Sequence, residues 1–296
     1  MRLQFFAHRD IDIARWDKAI SQCENENPYA YSTWLNLVCP GWGAFINNDY
    51  SILIPIPLKS KFGIRYISQP LFTQQLGVFN NIPILPDELN LILNDLRAQF
   101  KKIHYQFSIS NPKINGLKSK TTYTLPLNKS FDAMFNGFSM HHQRNINKAI
   151  RIINEQQGTI EISKDVEIFM QYFKDTIGRK DTSLKECDYH MIKKIIQSQN
   201  GKMYLFKTAD DAVLGGLYSL ESATKIVNLF NFVTNEGKEK RAMFGLVSNW
   251  IKQHAGSQKT LDFEGSEIES IAKFYHGFGA TPVNYQIFTK KGFWQM

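Results

Sequence analysis

LDFEGSEIESIAKFYHGFGA, residues Leu261–Ala280, reads as a strand that delivers two carboxylates into a loop, followed by a helix and a glycine-hinged aromatic turn. Side chains alternate along a strand, so Leu261 and Phe263 are expected on one face and Asp262 and Glu264 on the other, beside the break at Gly265-Ser266. Ser266 suits the N-cap of the helix, and Glu267 and Glu269 suit the positive end of its dipole. Beyond it, FYHGFGA gathers aromatic surface around two glycines that can take positive φ.

Working outward, helices and strands alternate in two rounds. The first opens with helices over about Ile11–Cys23 and Tyr31–Val38. WGAFINNDYSILIPIPLKSKFGIRYIS follows as three antiparallel strands, then an amide-rich loop, a helix from Pro86 to Lys101, and strands HYQFSIS and KTTYTLPL. The second opens with the helix SMHHQRNINKAIRIINEQQG, Ser139–Gly158, which places Ile146, Ala149, Ile150 and Ile153 on an apolar face and Arg144, Lys148 and Arg151 opposite. Strand TIEIS, a helix capped by Asp165, and a helix DYHMIKKIIQSQ ending at Asn200-Gly201 come next. Three strands then meander: KMYLFKT, LGGLYSLES and KIVNLFNFV. A polar loop, NEGKEKRA, leads to a helix with Met243, Leu246, Val247, Trp250 and Ile251 on one face, and then to the DFEG strand. The repeated order predicts a duplicated α+β architecture, residues 1–128 and 129–296, with 282–296 packing back on the first domain.

The 296-residue length fits two domains, and 43% hydrophobic residues supply cores. Three widely spaced cysteines, Cys23, Cys39 and Cys187, indicate neither a disulfide framework nor a zinc site. MRLQFFAHRDID turns polar too early for a signal peptide, and no apolar run is long enough to span a bilayer, so a cytoplasmic protein is expected. The net charge of +8 attracts anions such as RNA, nucleotides, phosphorylated carriers or lipid headgroups. No GxSxG elbow, Walker loop or dinucleotide fingerprint is present, which removes hydrolase, nucleoside-triphosphatase and oxidoreductase readings. His141, His142 and His276 lack metal-ligand spacing, so no metal is expected.

Four segments carry a family resemblance: YSTWLNLVCPGWGAFI (Tyr31–Ile46), YISQPLFTQQLGVF (Tyr66–Phe79), MHHQRNINKAIRIINEQQGTIEIS (Met140–Ser163) and DFEGSEIESIAKFYHGFGA (Asp262–Ala280). In that order they resemble the Fem peptidyltransferases, built from two tandem GNAT-like (acyl-CoA N-acyltransferase) domains, each a mixed, mainly antiparallel sheet flanked by helices. The resemblance implies an N-acyl or aminoacyl transferase acting on an amine of a peptidoglycan or polysaccharide precursor, nucleotide- or lipid-linked. It implies no tightly bound cofactor; the phosphate-bearing donor would be aminoacyl-tRNA or acyl-CoA as co-substrate. Two departures bear on mechanism. Phe274-Tyr275 stands where the family has Phe-Lys, and Lys273 projects about 100° away on a helix. The loop KEKRAMFGL offers Arg241 but has Phe244 where CoA-binding loops have glycine. A CoA-dependent N-acetyltransferase of small amines or sugars and a non-catalytic binding protein of the same fold are therefore the alternatives.

An acyl transfer needs a base for the attacking amine and a donor for the developing oxyanion. Glu264 is the candidate base, its pKa expected to rise by burial against Phe263 and Phe278. Tyr275 is the candidate proton donor, and Asp262 orients neighbours or pairs with a cation. Lys238, Lys240 and Arg241 are candidates for the donor phosphates. Trp34, Thr73 and Gln74 from the first domain, with Tyr218 and Asn231 from the second, are candidate substrate contacts in a cleft between the domains.

Overall fold

A computed structural model of the chain describes residues 3–155, 158–178, 183–265 and 268–292. The elements run β1 (Leu3–Phe6), α1 (Ile13–Gln22), α2 (Ser32–Val38), β2 (Gly43–Asn47), β3 (Ile52–Ile56), β4 (Leu58–Lys61), β5 (Ile64–Ser68), β6 (Phe79–Asn80), α3 (Pro86–Gln99), β7 (Ile103–Gln106) and β8 (Lys118–Pro126). They continue with α4 (Phe131–Asn136), α5 (Met140–Glu155), β9 (Thr159–Ser163), α6 (Val166–Phe173), α7 (Glu186–Gln197), β10 (Gly201–Lys207), β11 (Val213–Glu221), β12 (Lys225–Val233), α8 (Asn235–Glu239), α9 (Ala242–His254), β13 (Thr260–Asp262), α10 (Glu269–Gly277) and β14 (Thr281–Lys290). Two compact units divide these elements. One holds the chain up to Thr122 and from Val283 on, the other Tyr123–Pro282.

The first unit has an antiparallel sheet in the order β1-β2-β3-β6 and a second run of strands, β4-β5-β7-β14, in which β5 and β7 are parallel. Local chemistry sets its helices: Asp12 accepts from the Arg15 N–H to cap α1, and Pro86 opens α3, where its missing N–H costs nothing. Where three strands were expected there are four, because Pro57 separates β3 from β4 and the chain changes sheets there. β1 and the ten-residue β14 also lie outside the expected set.

The second unit is built on β8-β13-β12-β11-β10-β9, antiparallel except for β12 with β13. Its core joins Ile146, Ala149 and Ile152 of α5 to Leu246, Trp250 and Ile251 of α9 over Tyr204, Leu217 and Ile226 of the sheet. Burying each of these large side chains is worth about 1.5–3 kcal/mol. The helix α5 turns its stripe differently from the expectation: His142, Ile146, Ala149 and Ile152 are inside, while Ile150 is exposed. A buried histidine at the first position rotates the apolar stripe, and Arg144, Lys148 and Arg151 remain exposed on the other side.

Two further expectations are corrected here. NEGKEKRA is not a plain loop: Thr234 Oγ1 accepts from the Gly237 N–H and caps the short helix α8. Asn200-Gly201 does not cap α7, which ends at Ser198; Gly201 begins β10, where a Cβ would collide with the Ser219 carbonyl. Among the described residues no helix is long and apolar enough to cross a membrane.

Candidate functional site

The site follows from the way β12 loses a partner. Its parallel ladder with β13 runs only over Lys225↔Thr260, Ile226↔Leu261 and Val227↔Asp262, after which β12 continues to Val233 while β13 stops. A bulge near Leu229, between the pairs Ser219↔Asn228 and Tyr218↔Phe230, shifts the alternation of β12. Asn228 and Asn231, three residues apart, would face opposite ways on a regular strand; the extra residue turns both to the same side. A cavity of about 400 Å³ opens there, floored by Asn228, Asn231 and Val233. Its walls are Lys238 of α8, Arg241, Met243 and Phe244 at the start of α9, and Ser270, Phe274 and Tyr275 of α10. A neighbouring hollow of about 410 Å³ shares Val233 and Lys238.

At the inner end, Tyr275 is buried and stacks on Phe263 at 4.5 Å between ring centroids. The Asn228 side chain is its hydrogen-bond partner. Burial first, then the Glu264 carboxylate and, more weakly, that of Asp262 push the Tyr275 pKa up to about 12 against this hydrogen bond, so the phenol keeps its proton at neutral pH. Glu264 is half-buried and takes a positive φ of 63°, an uncommon conformation outside glycine, with its N–H donated to Asp262 Oδ1 at 3.0 Å. That conformation ends the expected strand alternation: the ladder stops at Asp262, and Asp262, Leu261 and Phe263 are all buried. Asp262 stands opposite Val227, on the face of Lys225, and its Oδ2 lies 3.9 Å from the buried Lys225 ammonium. It is an internal ion-pair partner that also holds the Glu264 backbone.

The anion-binding candidates separate. Lys238 and Arg241 line the cavity, whereas Lys240 is 2.9 Å from Glu236 one helical turn away and does not. Arg241 has positive φ (62°), and its carbonyl accepts from the Phe244 and Gly245 N–H groups as α9 begins. The first-turn N–H groups of such a helix, at Ala242 and Met243, have no intrahelical acceptor and bear the positive end of its dipole. Phe244 fills the place of the expected glycine with a ring packed at 5.0 Å from both His142 and Phe274.

Of the substrate candidates, Asn231 alone lines this cavity. Tyr218 pairs with Phe230 and so faces the other side of the sheet; its hydroxyl donates to the Ile195 carbonyl and it lines a separate hollow beside β9 and β10. In the first unit the fully buried Trp34 donates its Nε1–H to Thr73 Oγ1 at 3.0 Å, and Gln74 accepts from Gln75 Nε2. Ser266 and Glu267 lie outside the described residues, and α10 starts after Ile268. Asn228 and Lys225 were missed by sequence reasoning. Asn228 had a signal, as a polar residue within the apolar run KIVNLFNFV; Lys225 had none, because its partner is 37 residues away. Among the described residues no group of three His, Cys, Asp or Glu side chains could hold a metal ion.

No protein-family model matches the chain, and no curated protein matches it. Solved structures do. FemX superposes with a TM-score of 0.69 at 14% identity, over 95% of this chain and 96% of FemX. A conserved protein of unknown function from Bacteroides thetaiotaomicron gives 0.61 at 10% identity, over 98% and 100% of the two chains. L-PGS from Bacillus licheniformis gives 0.57 at 10% identity, over 96% and 93%. The chain therefore has the FemX-like fold, an α+β architecture shared by all three over nearly their full lengths.

Proposed function

We propose that this protein transfers an acyl or aminoacyl group from a phosphate-bearing donor to an amine, at the β12–α9–α10 cavity of the second unit. The observation that carries the reading is the early end of the β12·β13 ladder, which leaves a cavity with a helix N-terminus and Arg241 at one side and the Asn228–Tyr275 pair at the other. Phosphates suit the first end, through backbone N–H groups and a guanidinium. A carbonyl under attack suits the second, where Tyr275 and Asn228 offer donors in a buried setting. As the amine attacks, Glu264 takes its proton and a C–N bond forms. The ester C–O or thioester C–S bond then breaks, the leaving oxygen or sulfur takes the Tyr275 proton, and Glu264 returns its own proton to the phenolate. The net transfer is one proton from nitrogen to the leaving group.

Phe244 at the start of α9 favours aminoacyl-tRNA over CoA, because its ring narrows the approach of a pyrophosphate to the α9 N–H groups. The sequence resemblance to Fem enzymes supports an amine of a peptidoglycan or polysaccharide precursor as acceptor. Calorimetric titration of the purified chain with acetyl-CoA and with charged tRNA tests the reading. Saturable binding of charged tRNA, weakened about tenfold or more by Arg241→Ala, is expected. Acetyl-CoA binding alone would move the assignment to the CoA-dependent acetyltransferase, and binding of neither would leave the non-catalytic binding protein.

A further inference from the structure

The net positive charge of the chain comes from a limited part of it. Residues 50–86, 96–122 and 283–296 contain eleven Lys and Arg and not one Asp or Glu, which leaves 24 of the 35 cations against all 27 carboxylates elsewhere. Without these segments the chain would be acidic. They supply the strands β4, β5, β7 and most of β14 of the first unit.

The hairpin β4–β5 is where this charge projects. Lys61 pairs with Ile64, and Phe62 and Gly63 form a two-residue loop with φ of 52° and 73°. Two positive φ values are the requirement of the tight hairpin turn that matches strand twist, and its first position ordinarily takes Asn, Asp or Gly. Phenylalanine there costs backbone strain. It gains nothing in return from the fold, since Phe62 is 83% exposed. Ile64 beside it is exposed as well. An aromatic ring held at a strained apex, with an isoleucine next to it, is apolar surface kept for something outside the unit.

The flanks of the apex are cationic on one face. Ladder partners share a face, so Lys59, Lys61, Ile64 and Tyr66 stand together, and the pair Ser68↔His104 carries the face onto β7. Lys61 Nζ lies 5.5 Å from the Phe62 ring centroid and Lys102 Nζ 5.6 Å from that of Tyr66. Burial first, and then the Lys120 and Lys102 ammonium groups, hold the His104 pKa below its ordinary value. Among the described residues Lys59, Lys61, Arg65 and Lys102 have no carboxylate within ion-pair distance.

We propose that the β4–β5 hairpin docks this protein on an anionic phospholipid surface, with Phe62 and Ile64 entering the headgroup layer and Lys59, Lys61 and Lys102 meeting lipid phosphates. The order of groups along the hairpin, rings and branched carbon at the tip and ammonium groups one to three residues behind, matches the depth profile of a bilayer interface. A single-stranded nucleic acid would use aromatic faces as stacking platforms along a groove. Here the second apolar group at the tip is aliphatic and the next ring, Tyr66, is buried. The docking is independent of what the second unit transfers.

The test is co-sedimentation of the full chain with phosphatidylcholine vesicles, with and without phosphatidylglycerol. Binding is expected only with phosphatidylglycerol and should fall as salt rises. Lys59→Gln/Lys61→Gln should weaken it about 25-fold, roughly fivefold for each ammonium lost. Phe62→Asn, which suits positive φ, should weaken it roughly tenfold. The lysine double variant should melt with the wild type and Phe62→Asn at or slightly above it, because the altered side chains are not part of the core and asparagine relieves the positive-φ strain. Phe62→Trp should be quenched by brominated lipid chains beyond the wild-type background, and Glu264→Gln should bind vesicles as the wild type does. No sedimentation with phosphatidylglycerol, sedimentation indifferent to these changes, or an unquenched Phe62→Trp would each overturn the proposal. So would a chain whose Lys59 and Lys61 are needed for tRNA binding while it ignores vesicles.

Discussion

Replacing Gly277 by alanine should be a costly methyl addition to the second unit, and one whose cause can be isolated. Gly277 is the last residue of α10, and a Cβ there would overlap the His142 imidazole. The ring cannot step aside. Its Nδ1 is 2.8 Å from Ser139 Oγ, its Nε2 is 2.9 Å from the Phe274 carbonyl, and Phe244 and Phe278 pack edge-on against it at 5.0 and 4.7 Å. Overpacking of this kind costs about 1–3 kcal/mol, and displacing the ring forfeits two hydrogen bonds at about 1 kcal/mol each. Their sum puts Gly277→Ala near 3–5 kcal/mol by urea unfolding followed by far-UV circular dichroism. His142→Ala removes the ring, so adding Gly277→Ala to that background should be neutral or stabilising by up to about 1 kcal/mol, as alanine is the better helix former. The double-mutant cycle therefore predicts a coupling of about 3–6 kcal/mol. A Gly277→Ala protein within about 0.5 kcal/mol of the wild type, or two costs that simply add, would refute the argument. The result bears on function, since the Phe274 carbonyl that His142 grips precedes Tyr275, and this lock seats one wall of the cavity.

Four further outcomes follow from the same packing. The His142 pKa is held below the ordinary 6.5, by burial first, against the Phe274 carbonyl and with help from His141. The unfolded chain thus takes the proton first, and the contribution of His142 to stability is complete above about pH 6.5 and is lost as pH falls through the folded pKa; a His142→Asn protein should show a flatter stability–pH profile over that window. Glu221 is partly buried, which alone would raise its pKa, but His254 and Lys202 outweigh burial and hold it at about 2, and its Oε2 is also 3.8 Å from Lys259. Glu221→Gln should cost about 3 kcal/mol at pH 7, with the difference shrinking as pH falls from 4.5 toward 2 in a pH series of denaturant melts. Asp262→Asn should destabilise by about 3–5 kcal/mol because it strands the buried Lys225 ammonium, whereas Lys225→Met/Asp262→Leu should cost less in the same melts. Once a donor is in hand, Glu264→Gln and Tyr275→Phe should each lower kcat about 10²–10⁴-fold with little change in KM; wild-type turnover by Glu264→Gln would remove the base from the mechanism.

The alternation of helices and strands was legible because each element announces itself locally. Asp165 caps its helix as a short polar residue before an apolar turn does, and β10 to β12 are apolar runs cut by polar turns. β14 carried a signal too, since Val283, Tyr285 and Ile287 alternate with polar residues along it. The stripe of α5 was harder to read, since placing His142 inside depends on a glycine 135 positions later that leaves room for its ring.

The candidate site was legible only where one residue could show it. Tyr275 and Asn231 both line the cavity. Tyr218 does not, and the reason separates local from non-local information: on a regular ladder its face depends on the register with β12, and the bulge near Leu229 is what divides Tyr218 from the asparagines. The same bulge recruits Asn228, which a period of two would have sent to the opposite side. Glu264 is the converse case. Its place beside Tyr275 comes from a positive φ that no glycine supplies, held by an Asp262 that is itself fixed by Lys225 across the ladder. A residue kept in that conformation is costly to maintain, and its consequence here is electrostatic: the Glu264 carboxylate raises the Tyr275 pKa, although Glu264 is not among the residues that line the cavity.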